Sequence, residues 1–494
     1  MAETANTKKF TADVGIRFIA QILLKLRALV FLPIISKKLG AEEYGIWTQI
    51  TLTISLLVPI FMLRLETACI RFLNSQKDKA NIKNIFFSSL FLIWLLSAVI
   101  SIIVILFKNT VSFVLFGEDK SSNLILLFVI LVLAQVTFQF VLNYYRAFNK
   151  IKQYSSIEVI TSFFELFGII ILIVFFNTGI RSALIVMITV ELITSFFIIV
   201  NIFKELGFTF EINVRKYVIP LFKFSYPLIL TGLTFWIINM SDRFMIVHLI
   251  DVQNAGFYTA SYNLAGLIMF FLTPISFTLF PVISQLWEEK RIASVTLYME
   301  KSLKFFLLIS IPLVVIISYY SQKLLVVLAT EEFITSRLLI FLIAAGYLSI
   351  GVYQIFAYIF HLKNKTNKAI PLFIFVSILN IVLNFILIPK LEILGAALST
   401  FISYLILMLL VIIITKKWLI IRIPYIEILK YIVSALVLLG LLMFFKSTHL
   451  GTIILASTIG LIVYSLLVYI LKGVDKKEIE FLKTFFNKSN TSNI

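Results

Sequence analysis

Apolar runs of about 20 residues follow one another along almost the whole chain, each long enough for a helix to cross the ~30 Å hydrocarbon layer of a bilayer. They lie at 14–36, 44–66, 84–107, 123–146, 154–176, 182–203, 225–250, 255–283, 302–328, 336–361, 369–389, 394–415, 426–445 and 450–471. Only short polar connections separate them. In hydrocarbon every backbone polar group must be bonded internally, so helices and closed barrels are the only spanning forms. A barrel would show alternating segments of about ten residues instead of continuous runs. The chain is therefore predicted to be an all-α integral membrane protein with about fourteen transmembrane helices. Composition agrees: 61% of residues are hydrophobic and 14% charged, against about 45–50% and about 25% in soluble domains. A water-exposed enzyme and a disordered scaffold are excluded. Pro59 and Pro274 are expected to kink the second and eighth spans.

The net charge of +18 over 494 residues suggests nucleic acid at first, but its distribution follows topology. With the amino terminus cytoplasmic, inner connections hold 29 Lys and Arg, outer ones 9, and five lie inside spans. Cytoplasmic loops collect basic residues, so both termini are expected in the cytoplasm and no nucleic-acid partner is expected. The polar stretch 1–13, with Lys8 and Lys9, leads into a first span interrupted by Arg17, Lys25 and Arg27. That pattern is not a cleavable signal; a retained first helix is expected. The single cysteine, Cys69, excludes an intrachain disulfide and reads as a small buried residue.

No connection is long enough for a soluble catalytic domain. The sequence also carries a weak internal repeat. Leu39-Gly40-Ala41-Glu42-Glu43-Tyr44-Gly45-Ile46-Trp47 opens span 2, and Asp251-Val252-Gln253-Asn254-Ala255-Gly256-Phe257-Tyr258 opens span 8, about 211 positions on. Ile180-Arg181-Ser182-Ala183 before span 6 matches Ile393-Leu394-Gly395-Ala396 before span 12, 213 positions on. A shared offset with six spans per unit predicts two parallel six-helix lobes plus two further helices, as transporters built from repeats show. The expected divisions are 1–216 (helices 1–6), 217–417 (helices 7–12) and 418–494 (helices 13 and 14 with a cytoplasmic tail).

Several segments resemble a known family. They are Pro33-Ile34-Ile35-Ser36-Lys37-Lys38-Leu39-Gly40 running into Glu43-Tyr44-Gly45-Ile46-Trp47, and Phe224-Ser225-Tyr226-Pro227 followed by Asn239-Met240-Ser241-Asp242-Arg243. With them go Gly256-Phe257-Tyr258-Thr259-Ala260, and Leu379-Asn380-Ile381-Val382-Leu383-Asn384 with Gly395-Ala396-Ala397. Together with the span count, they resemble the polysaccharide-export branch of the multidrug/oligosaccharidyl-lipid/polysaccharide (MOP) superfamily, most closely its Wzx-type flippases. The resemblance implies a MATE-like pair of lobes in a bacterial inner membrane. It implies transfer of undecaprenyl-pyrophosphate-linked oligosaccharide units, for O-antigen, lipopolysaccharide or capsule, from the cytoplasmic to the outer leaflet. A polysaccharide polymerase and a chain-length regulator would be the protein partners. A multidrug cation antiporter of the same superfamily and a peptidoglycan lipid-precursor flippase are the alternatives.

Ionisable residues inside spans are expensive and are functional candidates by default. Arg17, Lys25 and Arg27 in span 1, Arg64 ending span 2 and Arg243 in span 7 are the candidate substrate-binding cations, facing the pyrophosphate and any acidic sugars. Lys25 and Arg27 point about 160° apart at about 100° per residue, so they cannot both face one cavity squarely. The competing reading for Arg17 is snorkelling to the interface. For Asp242 and Arg243 it is structural bridging, and about 100° between neighbouring side chains means they need not pair. Glu165 and Glu191 either bridge to the span 1 cations or take up a proton in the cycle; Glu158 is a further carboxylate on span 5. Asn380 and Asn384, four apart on one face of span 11, hydrogen-bond between helices or join Asp242 in coupling. His248, His361 and His449 form no ligand cluster, and no metal or cofactor is expected beyond coupling to H+ or Na+. Moving a doubly negative head group outward gains about 4–5 kcal/mol at 100 mV, inside negative, so the potential alone is a third source of drive.

Overall fold

The computed structural model describes residues 2–73, 76, 78–117, 123–208, 210–445 and 449–474, with side chains at 2–14, 25, 26, 28, 29, 231, 274, 277 and 278 outside that description. Among the described residues there are helices and no strand. In chain order these are α1 (Ala2–Phe61), α2 (Leu65–Leu73), α3 (Lys79–Leu106), α4 (Lys108–Phe116), α5 (Leu124–Ala147) and α6 (Ile151–Ile170). Then come α7 (Gly179–Leu206), α8 (Val214–Tyr217), α9 (Ile219–Leu249), α10 (Val252–Ala265) and α11 (Met269–Glu288). The last are α12 (Ile292–Leu328), α13 (Arg337–Leu362), α14 (Ile370–Lys416), α15 (Tyr425–Phe444) and α16 (Leu450–Ile470).

Thirteen segments among the described residues are long and apolar enough to cross a membrane. The difference from the expected fourteen lies in α1, which Gly40 (φ 78°, ψ −177°) breaks into two arms. The arm before Gly40 counts only as the shorter apolar helix Gly15–Leu24, because the side chains at 2–14, 25, 26, 28 and 29 lie outside the description, so the expected first span at 14–36 falls partly outside the described residues. Pro59 lies in the last turn of α1, and just after it the chain turns at Leu63 and Arg64 (φ 51° and 54°). The 3-10 turn Gly266–Ile268 precedes α11, the helix that holds Pro274, whose side chain lies outside the description.

The chain separates into two compact units, Met1–Gly256 with Leu328–Thr330, and Phe257–Val327 with Glu331–Ile494. In the first unit α5 is the centre, packed by α1, α2, α3, α6 and α7. Its apolar residues run nearly all round the helix, as a fully enclosed helix requires. Phe86 of α3 stacks on Phe140 of α5 at 5.2 Å between centroids. Cys69 is buried with its Sγ 3.9 Å from Ser89 Oγ. Gly45 touches Val252: a β-carbon there would stand 2.1 Å from the Val252 carbonyl oxygen, so only glycine lets the two backbones approach.

In the second unit α13 packs along α14, which Glu392 (φ 52°) breaks between the segments Thr366–Leu391 and Ile393–Lys416. A buried pair of hydroxyls, Tyr262 and Tyr404, meets at 2.9 Å. Ile316 and Tyr320 of α12, Leu438 and Leu442 of α15, and Ile453 and Ala456 of α16 form one apolar cluster. The last two helices are thereby fixed on α12.

Residues of positive φ recur at separations near the 211 and 213 of the sequence matches. Left-handed Asn149 and Asn364 (φ 53° in both) follow the ends of α5 and α13, 215 residues apart. Left-handed Gly179 (φ 69°) and Glu392 (φ 52°) stand 213 apart. Side chains seldom adopt this region; the two separations, 215 and 213, differ by two residues.

Candidate functional site

Within the first unit the second arm of α1 lies against α9, and between them is a groove of about 240 Å³. Its polar groups are Ser55, Arg64, Trp236 and Asn239; Leu56, Pro59, Ile60, Ile229 and Leu233 supply apolar walls. Trp236 Nε1 donates to Ser55 Oγ at 3.0 Å, tying the two helices together along the groove. Asn239 turns its amide to the Phe235 carbonyl at 2.7 Å.

Arg64 reaches this groove because the chain leaves α1 by an unusual turn. Leu63 and Arg64 both have positive φ, a conformation costing side-chain-bearing residues of order 1–3 kcal/mol each. Ser225 Oγ of α9 caps the turn by donating to the Leu63 carbonyl at 2.7 Å. The guanidinium lies against Gly232: a β-carbon there would stand 2.6 Å from Arg64 Nη2. Glu66 is loosely opposed, at 3.7 Å from Nη1, beyond hydrogen-bonding reach. Arg64 Nε is buried without a hydrogen-bond partner. The result is a partly exposed guanidinium, held in a mostly apolar groove, with donors to spare for an anion.

The other cations stand differently. Arg17 pairs with Glu158 of α6 and lies over the Tyr154 ring, 4.9 Å from its centroid. Arg27 donates from Nη2 to Glu165 Oε2 at 2.8 Å and from Nη1 to Ser162 Oγ at 2.7 Å. Lys25 lies outside the described side chains. Arg243 folds back on its neighbour: Nη1 donates to Asp242 Oδ1 at 2.8 Å and to the Asn239 carbonyl at 2.8 Å. Helical geometry separates adjacent α-carbon directions, but a long guanidinium stem spans that gap. Gln49 of α1 donates to the Arg243 carbonyl at 3.2 Å, and both Asp242 and Arg243 are buried.

Glu191 of α7 is buried, and its Oε2 has no hydrogen-bond partner among the described residues. In the second unit Asn384 Nδ2 donates to Asn380 Oδ1 at 3.0 Å, and Asn380 Nδ2 to Ser403 Oγ at 3.2 Å. These amides thus join the two segments of α14 on either side of Glu392. The structure brings Arg27 to Glu165, Arg17 to Glu158, and Arg243 to Asp242, while Arg64 alone of these cations lines the groove. Ser55, Gly232 and Trp236 were not singled out in the sequence. A tryptophan four residues after a mid-helix glycine in span 7 was the available signal.

A family model described as polysaccharide biosynthesis protein matches residues 10–287, more than half of the chain. The chain belongs to this family. A second model, MatE, matches residues 227–386, and the fold is that of the MOP superfamily. This family member is 24% identical over 231 residues to a probable low-salt glycan biosynthesis flippase, Agl15, of Haloferax volcanii, covering 46% of this chain and 48% of that one. The chain spans about half the length of the curated relatives it matches. Among solved structures, the lipid II flippase MurJ in an inward closed conformation superimposes with a TM-score of 0.75 at 17% identity, over 92% of this chain and 97% of that one. An inward-facing multidrug resistance MATE transporter gives 0.67 at 14% identity, over 82% and 97%. At such identities the likeness is one of fold.

Proposed function

We propose that this polysaccharide biosynthesis family member is a flippase that carries a polyprenyl-diphosphate-linked oligosaccharide from the cytoplasmic to the outer leaflet by alternating access. The observation that carries this reading is Arg64, a guanidinium presented to the groove between α1 and α9 and opposed by no carboxylate within hydrogen-bonding distance. A saccharide–diphosphate head cannot cross hydrocarbon unaided, because its polar groups and charge require fixed partners. A guanidinium fork fits phosphate oxygens in two places at once. Arg17, Arg27 and Arg243 each hydrogen-bond a carboxylate, whereas Glu66 stands 3.7 Å from Arg64, so Arg64 is assigned the diphosphate. Trp236 and the apolar wall suit a sugar face beside it.

The basic inner connections support a cytoplasmic location for both termini in a bacterial inner membrane. Undecaprenyl diphosphate as carrier, with a polymerase and chain-length regulator downstream, completes the reading. The test is a deletion in the native host. The polyprenyl-diphosphate lipids should then accumulate a finished oligosaccharide unit while surface polysaccharide disappears. Unchanged lipid intermediates with altered drug sensitivity would overturn it in favour of the multidrug antiporter.

A further inference from the structure

The second unit holds an apolar groove of about 800 Å³, walled by α12, α13, α14 and α15. Leu348 of α13, Met408 of α14 and Ile432 of α15 face it, and on α12 it runs from Leu303 to Val315. At ~1.5 Å per residue those two positions lie about 18 Å apart, rather more than half of the ~30 Å hydrocarbon layer. Of the lining side chains only Ser349 and Tyr425 carry a hydroxyl. Ser349 donates its own to the Ala345 carbonyl at 3.0 Å, and Tyr425 is exposed at the first residue of α15. The walls are therefore suited to hydrocarbon and to little else.

The groove is tied at both ends. Beyond Val315, Ile316 and Tyr320 of α12 pack with Leu438 and Leu442 of α15. At the other end Glu300 Oε1 accepts the Arg422 backbone N–H at 2.8 Å, and Lys304 Nζ stands 3.8 Å from Glu427 Oε1. Between these ties the walls stand apart, and an unfilled apolar hollow forfeits contacts that an apolar chain supplies. The second end is basic. Lys416 and Lys417 fall one turn beyond Ile412 and Ile413 of the lining, on the same face of α14. Arg422 follows in the connection to α15, next to Ile423 of the lining. All three side chains are exposed, and none pairs with a carboxylate among the described residues. Beside them Trp418 has Lys365 and Lys368 over its ring, at 5.0 and 5.5 Å from the centroid. Tryptophan settles at the headgroup level of a bilayer.

We propose that this groove seats an anionic phospholipid of the surrounding membrane, with one acyl chain along α12 from Leu303 to Val315 and the headgroup on Lys416, Lys417 and Arg422. The fit is one of length and charge. One leaflet contributes about 15 Å of hydrocarbon, so a chain anchored at the basic end fills the groove. Ammonium and guanidinium groups bind phosphate oxygens, and basic residues beside membrane helices gather anionic lipid. A second copy of this chain, inserted the same way up, would bring the same cations to the same depth and be repelled. A polyprenyl chain is several times longer than the groove. The phospholipid fills the gap between α12 and α15 and steadies the last two helices on the unit. The proposal needs only a membrane around the chain and stands apart from what the protein carries.

The experiment is native mass spectrometry of the full chain, purified and stripped of lipid in detergent, then titrated with dioleoylphosphatidylglycerol or dioleoylphosphatidylcholine. One tight phosphatidylglycerol adduct is expected, with phosphatidylcholine bound far more weakly. Replacing the three cations together (Lys416→Ala, Lys417→Ala, Arg422→Ala) should weaken phosphatidylglycerol binding by roughly 100-fold, at about a factor of five per charge. Phosphatidylcholine binding should stay as it was. Ala345→Trp, which fills the groove from the α13 wall, should remove both. The three cations are exposed, so their replacement leaves the fold intact and decides the matter even where Ala345→Trp misfolds. Equal binding of the two lipids by the wild type, or wild-type binding by the triple variant, would overturn the proposal. Displacement of phosphatidylglycerol by undecaprenyl phosphate at lower concentration would overturn it in favour of a polyprenyl tail. A dimer that forms as phospholipid is removed would overturn it in favour of a second copy.

Discussion

Arg64 lies so close to Gly232 that a β-carbon on the glycine would stand 2.6 Å from its Nη2. Arg64 lies in the turn after α1 and Gly232 on α9, both in one unit, and the missing side chain at 232 is the space the guanidinium occupies. Gly232→Ala should therefore displace Arg64 from the groove without unfolding α9. In a helix interior alanine is favoured over glycine by about 1 kcal/mol, so Tm should hold or rise. Transport should fall by about 10- to 100-fold, the equivalent of a charged hydrogen bond of about 1.5–3 kcal/mol. A flipping assay and a melting curve on the same preparation check both halves. Unchanged transport would remove Arg64's position from the mechanism.

Replacing Arg64 itself separates charge from geometry. Arg64→Ala should block export and cause the lipid-linked oligosaccharide to accumulate. Arg64→Lys should recover little, since an ammonium is a point charge and does not reproduce the planar fork. Quantifying the accumulated lipid in complemented deletion strains gives the answer. Full rescue by lysine would mean that net charge suffices.

The Arg27–Glu165 pair predicts non-additive stability. Arg27→Ala leaves Glu165 buried without its counter-charge, a loss of about 3–5 kcal/mol for breaking a buried pair. The double variant Arg27→Ala, Glu165→Gln should be more stable than Arg27→Ala alone. A double-mutant cycle of melting temperatures in detergent measures the coupling. Additive effects would show that the 2.8 Å contact contributes nothing specific.

In the second unit, Gly351 faces the ring of Phe306, whose Cζ would lie 2.2 Å from an added β-carbon. Gly351→Ala should cost about 1–3 kcal/mol through overpacking. Phe306→Leu in the same chain should recover part of it. The thermal midpoints of the two single variants and the pair decide the matter.

How much of this was legible in the sequence follows from the physics of each feature. The helices were readable because hydrocarbon demands a fixed length of apolar residue, and that demand leaves continuous runs such as 123–146 in the chain. A faint repeat was readable through Gly45 and Gly256, 211 positions apart, and Ser182 and Gly395, 213 apart; the positive φ of Asn149 and Asn364 is visible only in the structure. Membership of the polysaccharide biosynthesis family was readable from short motifs spread along the first twelve spans. The charged residues inside the membrane were visible as a set: Arg17, Arg27, Arg64, Asp242, Arg243, Glu165 and Glu191.

Which of those charges meet was decided only by tertiary structure. Arg27 finds Glu165 across 138 residues, Arg17 finds Glu158 across 141, and Arg243 turns back on its own neighbour. Helical periodicity gives the direction of an α-carbon to β-carbon bond but not the reach of a guanidinium on its flexible stem, nor which helix stands opposite. The bend at Leu63 and Arg64 was hidden for a related reason: neither residue type prefers positive φ, so no local preference announces the turn. Local sequence determined the apolar spans, since bilayer thickness acts on each segment separately. The groove and the Arg27–Glu165 pair depend on distant helices converging, and that convergence belongs to the packed unit.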